Sequence, residues 1–289
     1  MKSLDDPRII ILKPTESIQR LVAENGYPFK SKEHSVLVAK YQKDGNTDSK
    51  TVGAYLDETQ RNHCPAKLLY QFTDENTLPI SALCCDLVKK KPLHDYSKRT
   101  GRKIAITGLR QEEGGQRRRS QCLSFRNKLL RKFNPLAPVS EEFMDYLIEK
   151  YDIQLCELYY PPYNFSRTGC KGCPYNIFLQ RELNTLEKYL PSERRLCEKI
   201  WKPVYDEYRK HHYRLYDWYD LATGEITWQT PLDEKRHAND LLTPEKSELA
   251  RQRNPYRKDV LTSPEENTAS EIKPEQSLPD LDEQKADGA

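Results

Sequence analysis

The chain is expected to fold as an α/β protein with an open, mostly parallel sheet. Short apolar runs alternate with amphipathic stretches, the pattern of strands joined by helices. Lys103-Ile104-Ala105-Ile106-Thr107 reads as a strand that runs straight into a loop rich in glycine and arginine. Behind Ser140, the residues Phe143, Met144, Leu147, Ile148 and Tyr151 recur at helical spacing, with Ser140 as the cap.

Taken in order, Ile9-Ile10-Ile11-Leu12 predicts a first strand buried on both faces and ended by Lys13-Pro14. Thr15 then caps a helix from about Glu16 to Glu24, which Asn25-Gly26 closes. A loop from Tyr27 to Ser35, carrying Lys30, Lys32 and His34, leads into a second helix ending near Lys43, and a third covers Thr51 to Glu58. Phe125 to Leu136 gives one or two extended segments.

Asn176 starts a helix with Leu179, Leu183, Leu186 and Leu190 on one face, and a long helical stretch follows from Ser192 to about His212. Pro203 is expected to kink or split it. Tyr216–Tyr219 and Gly224–Trp228 form a small hairpin around Thr223-Gly224, its aromatics packed on the preceding helix. Residues beyond Asp240 are rich in Pro, Glu, Ser and Asn and are expected to be largely disordered. The resulting division is an α/β domain over 1–212, a hairpin-like extension over 213–240 and a tail over 241–289.

Charged residues make up 31% of the 289, and no apolar run is long enough to span a membrane. The N-terminus lacks the apolar core of a secretory signal, so a cytoplasmic location is expected. Eight cysteines in such a chain read as reduced thiols, some bound to metal, rather than a disulfide framework. Four of them (Cys64, Cys122, Cys156, Cys197) stand singly and are read as small buried residues. The net charge is +3, but residues 262–289 carry −6, which leaves +9 on the rest. A basic body suits an anionic ligand such as a nucleotide, sulfate or nucleic acid, and is equally the mark of an ordinary solvated surface.

The other four cysteines fall in two pairs, Cys84-Cys85 and Cys170-Lys171-Gly172-Cys173. Together they offer the four thiolates that a structural zinc or a four-iron cluster needs, and ligand type alone does not separate the two. Adjacent cysteines reach one centre only where the backbone bends, at a turn or a helix end. The stretch from Gly108 to Arg119 follows a strand, where ligands of open α/β sheets bind. Its glycines admit close approach of a backbone to phosphate, and its arginines can bind sulfate or phosphate in bidentate fashion.

These stretches resemble the phosphoadenylylsulfate and adenylylsulfate reductase family. Leu83 to Leu93 and Thr168 to Pro174 are similar to its cysteine motifs, Gly108 to Arg118 to its Gly-x-Arg-x-x-Glu-x-x-x-x-Arg loop, and Phe133-Asn134-Pro135-Leu136 to the segment preceding its acidic helix. The resemblance implies an adenine-nucleotide α-hydrolase-like fold and a [4Fe-4S] cluster on Cys84, Cys85, Cys170 and Cys173. It also implies an adenylylated or sulfated nucleotide substrate, bound by Arg110, Glu113 and Arg118 and faced by Lys32 of the basic loop. Glu187–Pro191 and Ile200–Tyr205 look like the phage and prophage branch.

Two family features are missing from the sequence: the Ser-Gly-Gly-Lys-Asp-Ser phosphate loop, and the Glu-Cys-Gly-x-His segment with its nucleophilic cysteine. Cys197 lacks the Gly and His neighbours and takes no such role. Three readings follow. The first is a reductase-family enzyme that reduces or transfers activated sulfur, the second a sulfur-transfer component acting on nucleic acid. The third is a non-catalytic accessory subunit with a structural metal, for which a partner polypeptide would supply the phosphate-loop unit.

Overall fold

The computed structural model describes residues 9–165 and 168–234. Three short helices open the chain: α1 (Ile18–Asn25), α2 (Lys32–Asp44) and α3 (Lys50–Leu56). Each starts at a serine, Ser17, Ser31 or Ser49, whose hydroxyl accepts a backbone N–H three residues on. A 3₁₀ segment, Ala66–Phe72, follows, then a π-helical turn, Asp86–Lys90, that continues into α4 (Lys91–Arg99). After strands β1 (Ala105–Ile106), β2 (Leu123–Arg126) and β3 (Leu129–Phe133) comes α5 (Glu141–Lys150). The chain then forms α6 (Leu179–Tyr189), α7 (Pro191–Lys210) and the two-stranded β4 (Asp217–Tyr219) and β5 (Ile226–Trp228).

The protein is a mixed α/β fold with a small sheet. Strand order is β1-β3-β2, with β1 parallel to β3 and β2 antiparallel to it, and an isolated parallel bridge joins Tyr27 to Ile80. Asn127 and Lys128, at φ 52° and 61°, make the two-residue turn between β2 and β3. The core lies elsewhere. Val22, Phe29, Val38, Val52, Leu68, Leu183, Trp201, Val204 and Tyr208 pack as one cluster, to which residues 86–157 contribute nothing.

Several expectations are corrected: Ser17 rather than Thr15 caps α1, and Cys122 and Cys156 are exposed rather than buried. Ile9–Leu12 is not a strand: it runs without hydrogen-bonded structure, and Ile11 is 72% exposed. No neighbouring strand pairs it among the described residues, and an apolar run alone cannot supply that partner. Pro203 sits inside an unbroken α7, one turn past Lys199. Burial of Trp201, Val204 and Tyr205 holds the helix through the missing hydrogen bond.

The hairpin packs on α7 through a buried charge network. Asp217 accepts from Arg194 (2.8 Å), Arg209 (3.3 Å) and Gln180 (3.0 Å), while Glu198 takes both Arg209 nitrogens at 3.0 and 2.7 Å. Burial pushes the Asp217 carboxyl up, but the two guanidinium groups outweigh it and hold it below its usual range. Residues 235–289, including the tail expected from the sequence, lie outside the described residues. Among the described residues no helix is long and apolar enough to cross a membrane.

His34 is a second polar group sealed in this core. Its Nε2 faces Gln71 Oε1 at 2.5 Å, which makes Nε2 the donor, and Nδ1 accepts from the Tyr55 hydroxyl at 2.9 Å. Burial lowers its pKa to about 4. The unfolded histidine takes up its proton near 6.5, so between these values the unfolded chain holds more protons and stability falls as the pH drops. The loss should approach roughly 3 kcal/mol at pH 4 and below. Urea melts at pH 7 and pH 4 are expected to show that loss, and His34→Gln to remove most of it.

Candidate functional site

Three segments converge on the paired cysteines. Cys84 and Cys85 open the helix whose next residues form the π-turn, so the backbone there is helical but wider than an α-turn. Their sulfurs lie 3.9 Å apart. The Cys84 thiol points its proton at Cys85 and, with Lys89 and Lys32 nearby, brings the Cys85 thiol down to about 6 against the effect of burial. Cys84 is pushed up by the same hydrogen bond, by burial and by the charges of Cys85 and Cys173. The expected bend at the vicinal pair is thus a helix start.

The second pair lies in a loop whose backbone is held from behind. Lys171 O accepts from Trp201 Nε1 (3.2 Å), Gly172 O from the Tyr205 hydroxyl, and Pro174 O from the Tyr208 hydroxyl (2.8 Å) and Arg214 (2.5 Å). Gly172 N donates to Glu182 of α6 at 2.8 Å. Gly172 has φ 60°, and a Cβ there would lie 2.5 Å from Tyr205 Oη and 2.8 Å from Cys197 Sγ. Only glycine fits. Cys197 is therefore the packing behind this loop, buried, with its thiol pushed up to about 12 by burial.

The two pairs face one neighbourhood. Cys173, raised by burial to about 11, feels the charges of Cys170 and Cys85. Tyr175 is raised by burial and by Cys84, Cys85 and Cys173, and it donates to Ser35 at 3.2 Å. All four cysteines are free thiols, three of them half-buried and Cys84 buried. Among the described residues no three Cys, His, Asp or Glu side chains close around one point.

Lys32 and His34 of the basic loop take different places. Lys32 Nζ lies 3.4 Å from Asp86, the residue after Cys85, so it belongs to the thiol neighbourhood. His34, expected in a substrate-facing loop, is fully buried. Its place on the inner face of α2 was not readable from a lone Lys/His loop.

A separate cleft of about 640 Å³ opens at the end of β1. Backbone from Thr107 to Leu109 forms one wall, and Glu113, Arg117, Arg119, Lys132 and Asn134 supply side chains. Asn134 is buried and ties the wall together: its Oδ1 accepts from Thr107 (2.6 Å) and its Nδ2 donates to Gln121 O (2.7 Å). Gln111 N donates to Ala137 O at 3.0 Å, and Glu112 accepts from the first amide of α5. The Asn-Pro-Leu stretch therefore fixes the shape of the arginine loop.

Of the residues expected to bind substrate, Glu113 lines the cleft and forms an ion pair with Arg117. Arg118 is exposed and outside the lining, and Arg110 is half-buried and also outside it, with Nη1 buried and unpartnered. Arg117, Arg119 and Lys132 are the cations at the cleft, and the sequence reading passed over all three. Lys132 could have been found from its place on β3, where it pairs with Ser124 across the ladder.

Residues 48–176 match the family model of the phosphoadenosine phosphosulfate reductase domain. Over that span the chain is similar to that domain. The matched span holds both cysteine pairs and the whole cleft, while α6, α7 and the β4–β5 hairpin lie beyond it. Comparison with curated proteins and with solved structures found no match. The helices outside the matched span form the wall behind the second cysteine pair.

Proposed function

We propose that the cleft binds the phosphate and sulfate end of an adenylylated or sulfated nucleotide, and that the protein serves reduction or transfer of its sulfur. The observation carrying this reading is the concentration of Arg117, Arg119 and Lys132 around backbone amides at the carboxyl end of β1. Guanidinium groups there would take the charged oxygens, and the ion pair to Glu113 fixes Arg117 in place. The volume suits a nucleotide-sized ligand, since such sites span roughly 300–1,000 Å³.

The four cysteines Cys84, Cys85, Cys170 and Cys173 suit a tetrathiolate group by their chemistry: all four are free thiols, the charges of Cys85 and Cys173 reach one another, and Lys89 and Lys32 favour the thiolate at Cys85. They would hold a [4Fe-4S] cluster, which supplies electrons or a charged contact to the substrate when bound. The 3.9 Å sulfur separation in the vicinal pair is close to the ~3.8 Å that two thiolates have on one tetrahedral ion. Zinc on the same cysteines is therefore a second reading.

Full-length protein purified without oxygen is expected to contain iron and acid-labile sulfide, whereas zinc without sulfide would support the second reading. Calorimetric titration with phosphoadenylyl sulfate is expected to show binding that weakens at least tenfold in Lys132→Ala and Arg119→Ala. That is the scale of losing one hydrogen bond to a charged group, roughly 1.5–3 kcal/mol. Absence of binding, or equal affinity in both variants, would remove the cleft assignment.

A further inference from the structure

We propose that the β2–β3 ribbon is a binding surface for single-stranded nucleic acid. Ser124 and Lys132 of the same strands line the nucleotide cleft, while the turn and the cations Arg126, Lys128 and Arg131 lie outside it, and the inference does not depend on what that cleft binds.

Between Gly114 and Ser140 the sequence has seven basic residues and no acidic one. Three of the seven, Arg117, Arg119 and Lys132, line the cleft, which leaves Arg118, Arg126, Lys128 and Arg131 outside it. All four are exposed, and none has a carboxylate partner at ion-pair distance among the described residues. Some surface cations elsewhere are neutralised: Arg20, Lys90, Lys91 and Lys202 each have an acidic partner one helical turn away. Arg126, Lys128 and Arg131 thus form an unneutralised basic stripe along the ribbon.

Geometry adds to charge. The left-handed turn at Asn127-Lys128 projects Arg126 and Lys128 at the tip, and every residue of β2 is exposed. Phe125 stands beside Arg126 with 60% of its surface free, and Leu129 follows the turn with 58% free. Phe125 sets a flat apolar face beside the cations Arg126, Lys128 and Arg131, a combination that suits a partner with both phosphates and flat apolar faces. A polynucleotide with unpaired bases has both, because the backbone meets the cations and a base can stack on the ring.

The test uses the full chain and fluorescently labelled twelve-nucleotide DNA and RNA strands, single and duplex, with anisotropy read across a salt series. Single strands are expected to bind, with log K falling linearly in log salt. Arg126→Ser/Lys128→Ser/Arg131→Ser is expected to weaken binding at least tenfold and to flatten the slope by about 2, three contacts at ~0.7 each. Phe125→Ala should weaken binding roughly five- to a hundredfold with the slope unchanged, as loss of one stacked base does. The melting temperature and circular dichroism of both variants should match the parent, since these side chains are exposed. Lack of binding by the parent, unchanged affinity in both variants or tighter binding of duplex would each overturn the assignment. Lys132→Ala, which reports on the cleft, separates failure here from failure of the nucleotide site.

Discussion

Asp217→Asn is expected to destabilise the protein by about 3–5 kcal/mol, the scale for breaking a buried ion pair by removing one partner. Arg194, Arg209, Glu198 and Asp217 are each at most 2% exposed, so the charges balance only as a set of two and two. Asparagine keeps the shape and the contact with Gln180, but it leaves two buried guanidinium groups sharing one carboxylate. Arg194 is already short of partners, with Nε and Nη1 unsatisfied. Chemical denaturation should show a lower midpoint with an unchanged slope, and a loss under about 1 kcal/mol would mean the network is hydrated. Because the arginines hold the Asp217 carboxyl low, its contribution is present above the unfolded pKa of about 3.9 and is lost as the pH falls below it.

Gly172→Ala should have a comparable effect and should strike the cysteine loop directly. The residue is at φ 60°, and the new methyl would meet Tyr205 Oη at 2.5 Å and Cys197 Cβ and Sγ at 2.8 Å. Neither neighbour can yield cheaply, since Tyr205 is completely buried and its hydroxyl is bound to the carbonyl of Gly172 itself. Overpacking alone costs typically 1–3 kcal/mol, and strain at a positive φ adds about 1 kcal/mol or more. The loop must shift, moving Cys170 and Cys173 away from the vicinal pair. Lower metal content per chain in the variant, at a stability still sufficient for folding, is the expected signature. Unchanged metal content would show that the loop tolerates displacement.

Much of the fold was readable because local signals agreed with it. Ser140 caps α5 through Phe143 N, the Thr223-Gly224 turn closes the terminal hairpin, and the strand around Ile104–Ile106 leads into the arginine loop. Signals that depend on distant partners were not readable. Ile9–Leu12 has strand composition without a strand beside it, and Pro203 rides in a helix held by tertiary burial. Which cations face the cleft depends on the bend from Gly108 to Ser120, which places Arg117 and Arg119 in its lining and Arg110 and Arg118 outside it.

The exclusion of residues 86–157 from the hydrophobic core has a consequence for how the molecule opens. Both cysteine pairs sit on the core side of that boundary, since Cys84 is within the cluster and Tyr205 and Tyr208 brace the second pair. The cleft lies on the other side, in a sheet whose amides are protected by few buried apolar contacts. Hydrogen exchange should therefore divide the chain into a slow body carrying the thiols and a fast one carrying the cleft. A ligand entering the cleft would slow only the second, because binding stabilises the part that must be formed to bind it.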